Sequence, residues 1–248
     1  MFKNALLLSS AILLSALFVG QIAHAQLESV DIGDAAKNPG STEFKNGTYT
    51  IKGSGHDIWD TADGFRFAYT KVSGNFEAGV HQVSIELKNE WAKGGINARQ
   101  SVDPGAVNAL VIVTGGGGGG CEITWRKTKD GVSEEFLSVA PGNWKDGECW
   151  LKLTREGDEF HGYISKDGKD WVDLKSVQVK MSGPILVGLA ICGMDQVGKA
   201  IYDNFTITQN NRTIFPRAVD LKGKLSITWG KIKTCLNLGN RGRDRGED

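Results

Sequence analysis

The chain has 248 residues, and its 29 Lys and Arg are balanced by 29 Asp and Glu. That balance excludes nucleic acid as the main partner through a broad basic surface. Thirty-three glycines against five prolines, in a chain of this length, fit one β domain of many short strands and tight turns.

The N terminus reads as an export signal. Lys3 gives a short positive region, an apolar run follows from Ala5 to Val19, and Ala23-His24-Ala25 supplies small-x-small cleavage chemistry. Residues 1–25 are expected to be a signal peptide, removed before Gln26, which makes the mature protein secreted or periplasmic with no membrane insertion after cleavage.

The mature part carries strand-like runs at short intervals. They are Thr48–Ile51, Phe65–Tyr69, Phe76–Leu87, Gly94–Arg99, Asn108–Thr114 and Cys121–Lys127, then Glu135–Ala140, Trp150–Arg155, Phe160–Ser165, Trp171–Val179, Ile185–Cys192 and Ala200–Thr208. Turn signals punctuate them: Ser73-Gly74-Asn75, Asp130-Gly131, Asp146-Gly147, Glu156-Gly157-Asp158 and Lys166-Asp-Gly-Lys169. Helical periodicity is nearly absent. The pattern predicts an all-β fold, two stacked antiparallel sheets in a jelly-roll-like sandwich over 26–210. The glycine run 115–120 lacks a following Gly-Lys-Ser/Thr and a following helix, so it reads as a hairpin loop and not as a phosphate cradle. Residues 211–248 form a C-terminal extension, charged in mixed sign and Gly-rich toward its end, expected to be partly disordered. Leu225–Trp229 within it is a candidate edge strand.

Four cysteines in an exported chain permit disulfides. Cys121 and Cys149 both open strand-like runs and are the first expectation for a cross-strand bridge. Buried free thiols are the alternative, and Cys192 reads as core.

Several stretches together carry a family likeness. They are Gly53-Ser-Gly-His-Asp-Ile-Trp59, Thr61-Ala-Asp-Gly-Phe-Arg-Phe-Ala-Tyr69, Trp91-Ala-Lys-Gly-Gly-Ile-Asn-Ala-Arg99, Ile123-Thr-Trp-Arg126, Trp150-Leu-Lys-Leu-Thr-Arg155, Phe160-His-Gly-Tyr-Ile-Ser165 and Tyr202-Asp-Asn-Phe-Thr-Ile207. Their order and spacing resemble the concanavalin A-like lectin/glucanase (laminin-G-like) superfamily, and within it the secreted bacterial modules called regulation-of-enolase-like. The resemblance implies two curved antiparallel sheets. Lectins, glycosidases and adhesion modules share that fold, so it leaves function open. It also implies a structural Ca²⁺ near the last strand, with Asp203 as a ligand and Asp31 or Asp34 joining it, since Ca²⁺ takes several oxygen ligands.

Catalytic patterns are missing from the sequence. Glycoside hydrolysis on this fold needs paired carboxylates across a cleft, and no Glu-x-Asp-x-x-Glu occurs. Glu134 and Glu135 are adjacent and so point to opposite faces of a strand. Asp57 and Asp60 flank Trp59 in an expected loop and read as solvated acids. The expectation is therefore a non-enzyme.

Binding residues follow from strand parity. Asn97 and Arg99 alternate with Ile96 and Ala98. Glu122 and Arg126 alternate with Ile123 and Trp125, Lys152 with Leu151 and Leu153, and His161 and Tyr163 with Phe160 and Ile164. If these strands share a sheet, Asn97, Arg99, Glu122, Arg126, Lys152, His161 and Tyr163 make one polar face, with Trp91 at a strand edge for stacking. Such a face suits an oligosaccharide or polysaccharide. An envelope or matrix protein as partner, and a glycan-acting hydrolase, are the alternative readings.

Overall fold

The protein is described by a computed structural model covering residues 27–86, 88–115, 120–139, 148–210 and 212–213. The expected signal peptide, most of the glycine run, Trp144, Trp229, Cys235, the candidate strand Leu225–Trp229 and the extension beyond 213 lie outside the described residues.

Fifteen strands are described: β1 Glu28–Ile32, β2 Ser41–Lys45, β3 Thr48–Gly53, β4 Phe65–Val72, β5 Phe76–Glu86, β6 Lys93–Arg99, β7 Asn108–Thr114, β8 Gly120–Arg126, β9 Glu134–Val139, β10 Cys149–Glu156, β11 Glu159–Ser165, β12 Trp171–Gln178, β13 Ile185–Cys192, β14 Gly198–Gln209 and β15 Arg212–Thr213. One short 3-10 turn, Gly33–Lys37, follows β1. Two antiparallel sheets form. One has seven strands in the order β1-β4-β13-β6-β7-β8-β9, the other the path β12-β11-β10-β5-β14-β3-β2 with β15 beside β14. The expected all-β sandwich is the observed fold.

Turn chemistry sets the local register. In the β10–β11 hairpin Glu156 pairs with Glu159, and Gly157 between them has φ 62°, where an L side chain is strained.

Period-two alternation builds the main core between the sheets. Ile96, Ala98, Val111, Ile123, Trp125, Val187 and Leu189 face Val80, Leu151, Leu153, Phe160, Ile164 and Ile207. A second apolar cluster lies on the other face of the seven-stranded sheet. Phe65, Phe67, Leu110, Ile112, Ala190 and Cys192 pack there beneath Ile58, which comes from the loop before β4. β6, β7 and β13 are therefore buried on both faces, which explains the unbroken apolar runs in β7 and β13.

Cys121 and Cys149 both lie in the main core with free thiols, one on each sheet. The expected cross-strand bridge is not formed, since Cys121 and Cys149 stand on different sheets. Burial pushes the Cys121 thiol up to about 12 and Cys149 well above its ordinary value.

Gly188 sits where β13 meets β4, and a Cβ there would collide with the Ala68 carbonyl and the Tyr69 Cα. Both obstacles are backbone and cannot swing aside. Gly188→Ala is expected to cost about 3 kcal/mol or more, read from urea unfolding, because the strand pair must separate to admit the methyl group.

Candidate functional site

The expected polar face is in fact two faces. β6 and β8 belong to the seven-stranded sheet, whereas β10 and β11 belong to the eight-stranded one. Parity within each strand holds. The halves nevertheless lie on opposite sides of the molecule, since each points away from the shared core.

The first half carries Asn97, Arg99, Glu122 and Arg126, and it is covered. Asp63, from the loop before β4, puts its carboxylate between the two arginines. It accepts hydrogen bonds from Arg99 Nη1 at 3.0 Å, from Arg126 Nη1 and Nη2 at 2.9 and 2.6 Å, and from Asn108 Nδ2 at 3.0 Å. All three charged side chains are 0% exposed. The remaining guanidinium donors go to backbone oxygens. Arg99 reaches Ser101 and Asp103, and Arg126 reaches Trp59, Asp60 and Gly131. Burial lowers the Arg99 pKa, and Asp63 opposes that shift. Arg99 and Arg126 are thus corrected from ligand contacts to internal ties, because every nitrogen is spent inside the protein.

A second tie holds the same loop. Lys93 Nζ donates to Asp57 Oδ1 at 2.6 Å and to the Trp91 carbonyl at 3.2 Å. Asp57 is therefore not the solvated loop acid expected. Gly64 N donates to the Asp57 carbonyl at 2.6 Å, which closes the loop 57–64 at its base. Lys93 and Arg99 stand six residues apart on one face of β6 and converge on that base from both ends. Asn97 lies between them, under the loop.

Asn97 and Glu122 are fully buried, and so is Thr124. Asn97 Oδ1 and Nδ2, both Glu122 carboxylate oxygens, Thr124 Oγ1 and Asn108 Oδ1 have no hydrogen-bond partner among the described residues. Burial pushes Glu122 up to about 7; Lys93 nearby opposes this, and Glu135 and Asp57 add to it.

The second half is open to solvent. Register places Trp150, Lys152 and Thr154 of β10 beside Tyr163 and His161 of β11, with Trp171 and Asp173 of β12 beyond. Lys152 Nζ lies 4.6 Å from the Tyr163 ring centre and 4.2 Å from that of Trp171. His161 stacks on Tyr163 at 4.4 Å, and its Nε2 meets Asp173 at 2.7 Å. His81 of β5 stacks on Trp150 at 4.7 Å. The rings are half-buried. Trp150, Trp171 and His81 were not singled out for this face from sequence; the signal was their parity with Lys152, once β5, β10, β11 and β12 are known to be neighbours. Trp91 is 40% exposed but sits in the turn before β6, off both faces.

The two carboxylates expected at a Ca²⁺ site do not meet. Asp31 is in the seven-stranded sheet, bound to Arg66 Nη1 at 2.7 Å, and Asp203 is in the other, bound to His81 Nδ1 at 2.8 Å. Among the described residues no group of three His, Cys, Asp or Glu side chains is arranged to hold a metal ion. The residues present do not fit the implied Ca²⁺.

No protein-family model matches the chain, and no curated protein matches it. Solved structures do match. A functionally unknown protein from Saccharomyces cerevisiae is 19% identical over 74% of this chain and 96% of that chain, with a TM-score of 0.58. The Emp47p carbohydrate recognition domain is 9% identical over 74% of this chain and 87% of that chain, at TM-score 0.43. A GH43 protein from Bacillus licheniformis is 12% identical over 66% of this chain and only 37% of that chain, at TM-score 0.48. The first likeness shows the fold and no more; the other two are too loose to carry an inference.

Two outcomes follow from the buried charges. Asp63→Ala strands two buried guanidinium groups and is expected to cost about 3–5 kcal/mol in chemical unfolding. Glu122 binds its proton more tightly folded than unfolded, so its contribution to stability is full below about pH 4.5 and is lost as pH rises to about 7, about 3 kcal/mol in all. Glu122→Gln is expected to remove that part of the pH dependence.

Proposed function

We propose that the chain is a secreted or periplasmic, non-catalytic carbohydrate-binding module of the concanavalin A-like kind, of the regulation-of-enolase-like sort. Its glycan-binding surface is the outer face of the eight-stranded sheet. The observation that carries this is the Trp150–Lys152–Tyr163–Trp171 cluster. Sugar rings offer C–H faces that pack on aromatic rings, and hydroxyls that bind charged side chains at the rim. Half-buried rings held by sheet register are fixed in place, so little ordering entropy is spent when a ligand docks.

The same face supports binding over catalysis. Two of its carboxylates, Asp173 and Asp203, are each ion-paired with a histidine, at 2.7 and 2.8 Å, while Glu77 stands beside Thr154 on the same face; a glycoside hydrolase needs two free carboxyls facing one bond. The other face, where the raised proton affinity of Glu122 would suit a general acid, is closed by the loop 57–64. Export rests on the Lys3-to-Ala25 signal pattern.

Affinity electrophoresis through gels of neutral and acidic polysaccharides tests the proposal. Mature protein is expected to be retarded by at least one glycan, and Trp171→Ala and Lys152→Ala to weaken retardation about tenfold or more while circular dichroism stays unchanged. Loss of retardation without loss of fold supports the face. Free migration in every gel, or retardation untouched by both substitutions, contradicts it.

A further inference from the structure

Most of the described glycines have a visible structural reason. Gly157 takes a positive φ, and Gly188 lies against the backbone of β4. Gly79, in the middle of β5, has neither. A Cβ there would meet nothing nearer than Thr206 Oγ1 at 3.7 Å and the Leu151 carbonyl oxygen at 3.9 Å, which are ordinary contact distances. Glycine inside a strand weakens it, because it costs backbone entropy and packs no side chain. Where the fold does not ask for it, the missing side chain serves a close approach to the backbone.

Beside Gly79 stands a residue with the opposite mismatch. β14 passes β5 with one extra residue between Asp203, opposite His81, and Thr206, opposite Gly79. In that bulge Asn204 has φ 51°, where a side chain is strained and glycine is not. Asn204 Nδ2 donates to Asp203 Oδ1 at 2.8 Å, and the same oxygen lies 2.8 Å from His81 Nδ1. One strand therefore has glycine where a side chain fits, and its neighbour keeps a side chain where glycine would be easier. Stability accounts for neither choice. A ligand that touches the backbone at Gly79 and bonds the amide of Asn204 accounts for both.

Gly79 faces outward, since Ala78 and Val80 on either side of it are core. Register puts it in one row with Tyr163, Lys152 and Thr206. Lys152 leans away from it, with Nζ over the Tyr163 and Trp171 rings. His81 and Glu77 stand two residues away along β5 on the same face. The result is a shallow furrow with Gly79 as its floor, and strand spacing sets its walls on β10 and β14 about 10 Å apart. It is open to solvent: Gly79, Lys152 and Thr206 are half-buried, and Glu77 is exposed.

Charge narrows the class of ligand. Glu77 and Asp203 border the furrow, and Glu148 and Asp173 stand near it, paired with His81 and His161. Against these carboxylates this part of the face sets Lys152 and the two histidines. An acidic glycan would meet repulsion there, whereas hydroxyl groups, each both donor and acceptor, suit Glu77, Asn204 and Thr206. We infer that Gly79 is the floor of a subsite for one ring of an uncharged glycan, which rests on the outer face being the glycan surface. The C–H side of that ring lies on the bared backbone of β5, and Asn204 and Thr206 bind its hydroxyls.

Affinity electrophoresis of the mature protein tests the subsite, through neutral gels of hydroxyethyl cellulose, galactomannan and arabinoxylan and acidic gels of alginate and polygalacturonate. The wild type is expected to be retarded by at least one neutral gel. Gly79→Val and Asn204→Gly are expected to weaken that retardation about tenfold or more. The Tm of Gly79→Val stays level or rises by a few degrees, because a β-branched side chain suits a strand with room for it. A structural glycine predicts the reverse, so a fall in Tm for the smaller change Gly79→Ala overturns the inference. Retardation of Gly79→Val equal to wild type, with Trp171→Ala released, overturns the subsite and leaves the glycan surface standing. Retardation by acidic gels alone overturns the ligand class. Free migration of the wild type in every gel removes the surface and the subsite together.

Discussion

One carboxylate organises one side of this molecule. Asp63 is fully buried between Arg99 and Arg126, and each arginine spends its remaining donors on loop carbonyls. Through these bonds the loop 57–64 and the segments 101–107 and 127–133 become one layer, with Asp63 N bound to the Pro104 carbonyl and Ser133 N to that of Asp60. That layer turns an ordinary outer sheet face into an interior. The desolvation of three charges is met by a nearly complete set of hydrogen bonds, the condition under which a buried ion cluster persists. The apolar cluster beneath Ile58 exists because the layer is held down.

With one face closed, the two sides of the sandwich have different chemistry. The outer side of the seven-stranded sheet is packed under the loop 57–64, with Asn97, Glu122 and Thr124 buried beneath it. The eight-stranded sheet offers an open surface, with Trp150, Tyr163 and Trp171 set by strand register and Lys152 among them. A long glycan can lie only on the second. The division follows from where the loops go, since both sheets alternate core and outer positions in the same way.

The sequence showed the strands well and their neighbours poorly. Alternation and Gly-containing turns located β3 to β14 within a few residues, and put Trp125 in the core. β1 and β2 were missed: Glu28–Ile32 and Ser41–Lys45 are short and largely polar, and β2 stands at a sheet edge where little burial marks the pattern. The division of β6 and β8 from β10 and β11 was not legible, because parity fixes a side within a strand and says nothing of which sheet holds it. Asp63 was hidden too, inside an Asp-Gly pair that reads as a turn. Two signs of the cover were present in the residues. Arg99 and Arg126 share a face on which Glu122 is the one acid of β6 and β8, and Leu110–Val113 and Ile185–Cys192 are apolar without alternation, as strands buried on both faces must be.

The central claim is that an extended glycan docks on the aromatic face of the eight-stranded sheet. Backbone and indole chemical-shift mapping during titration with a retarding oligosaccharide tests it most directly. The account predicts shifts at the Trp150 and Trp171 indole N–H groups and along β10 to β12, with the loop 57–64 unmoved. Shifts confined to that loop and to β6–β8, with both indoles silent, would contradict it.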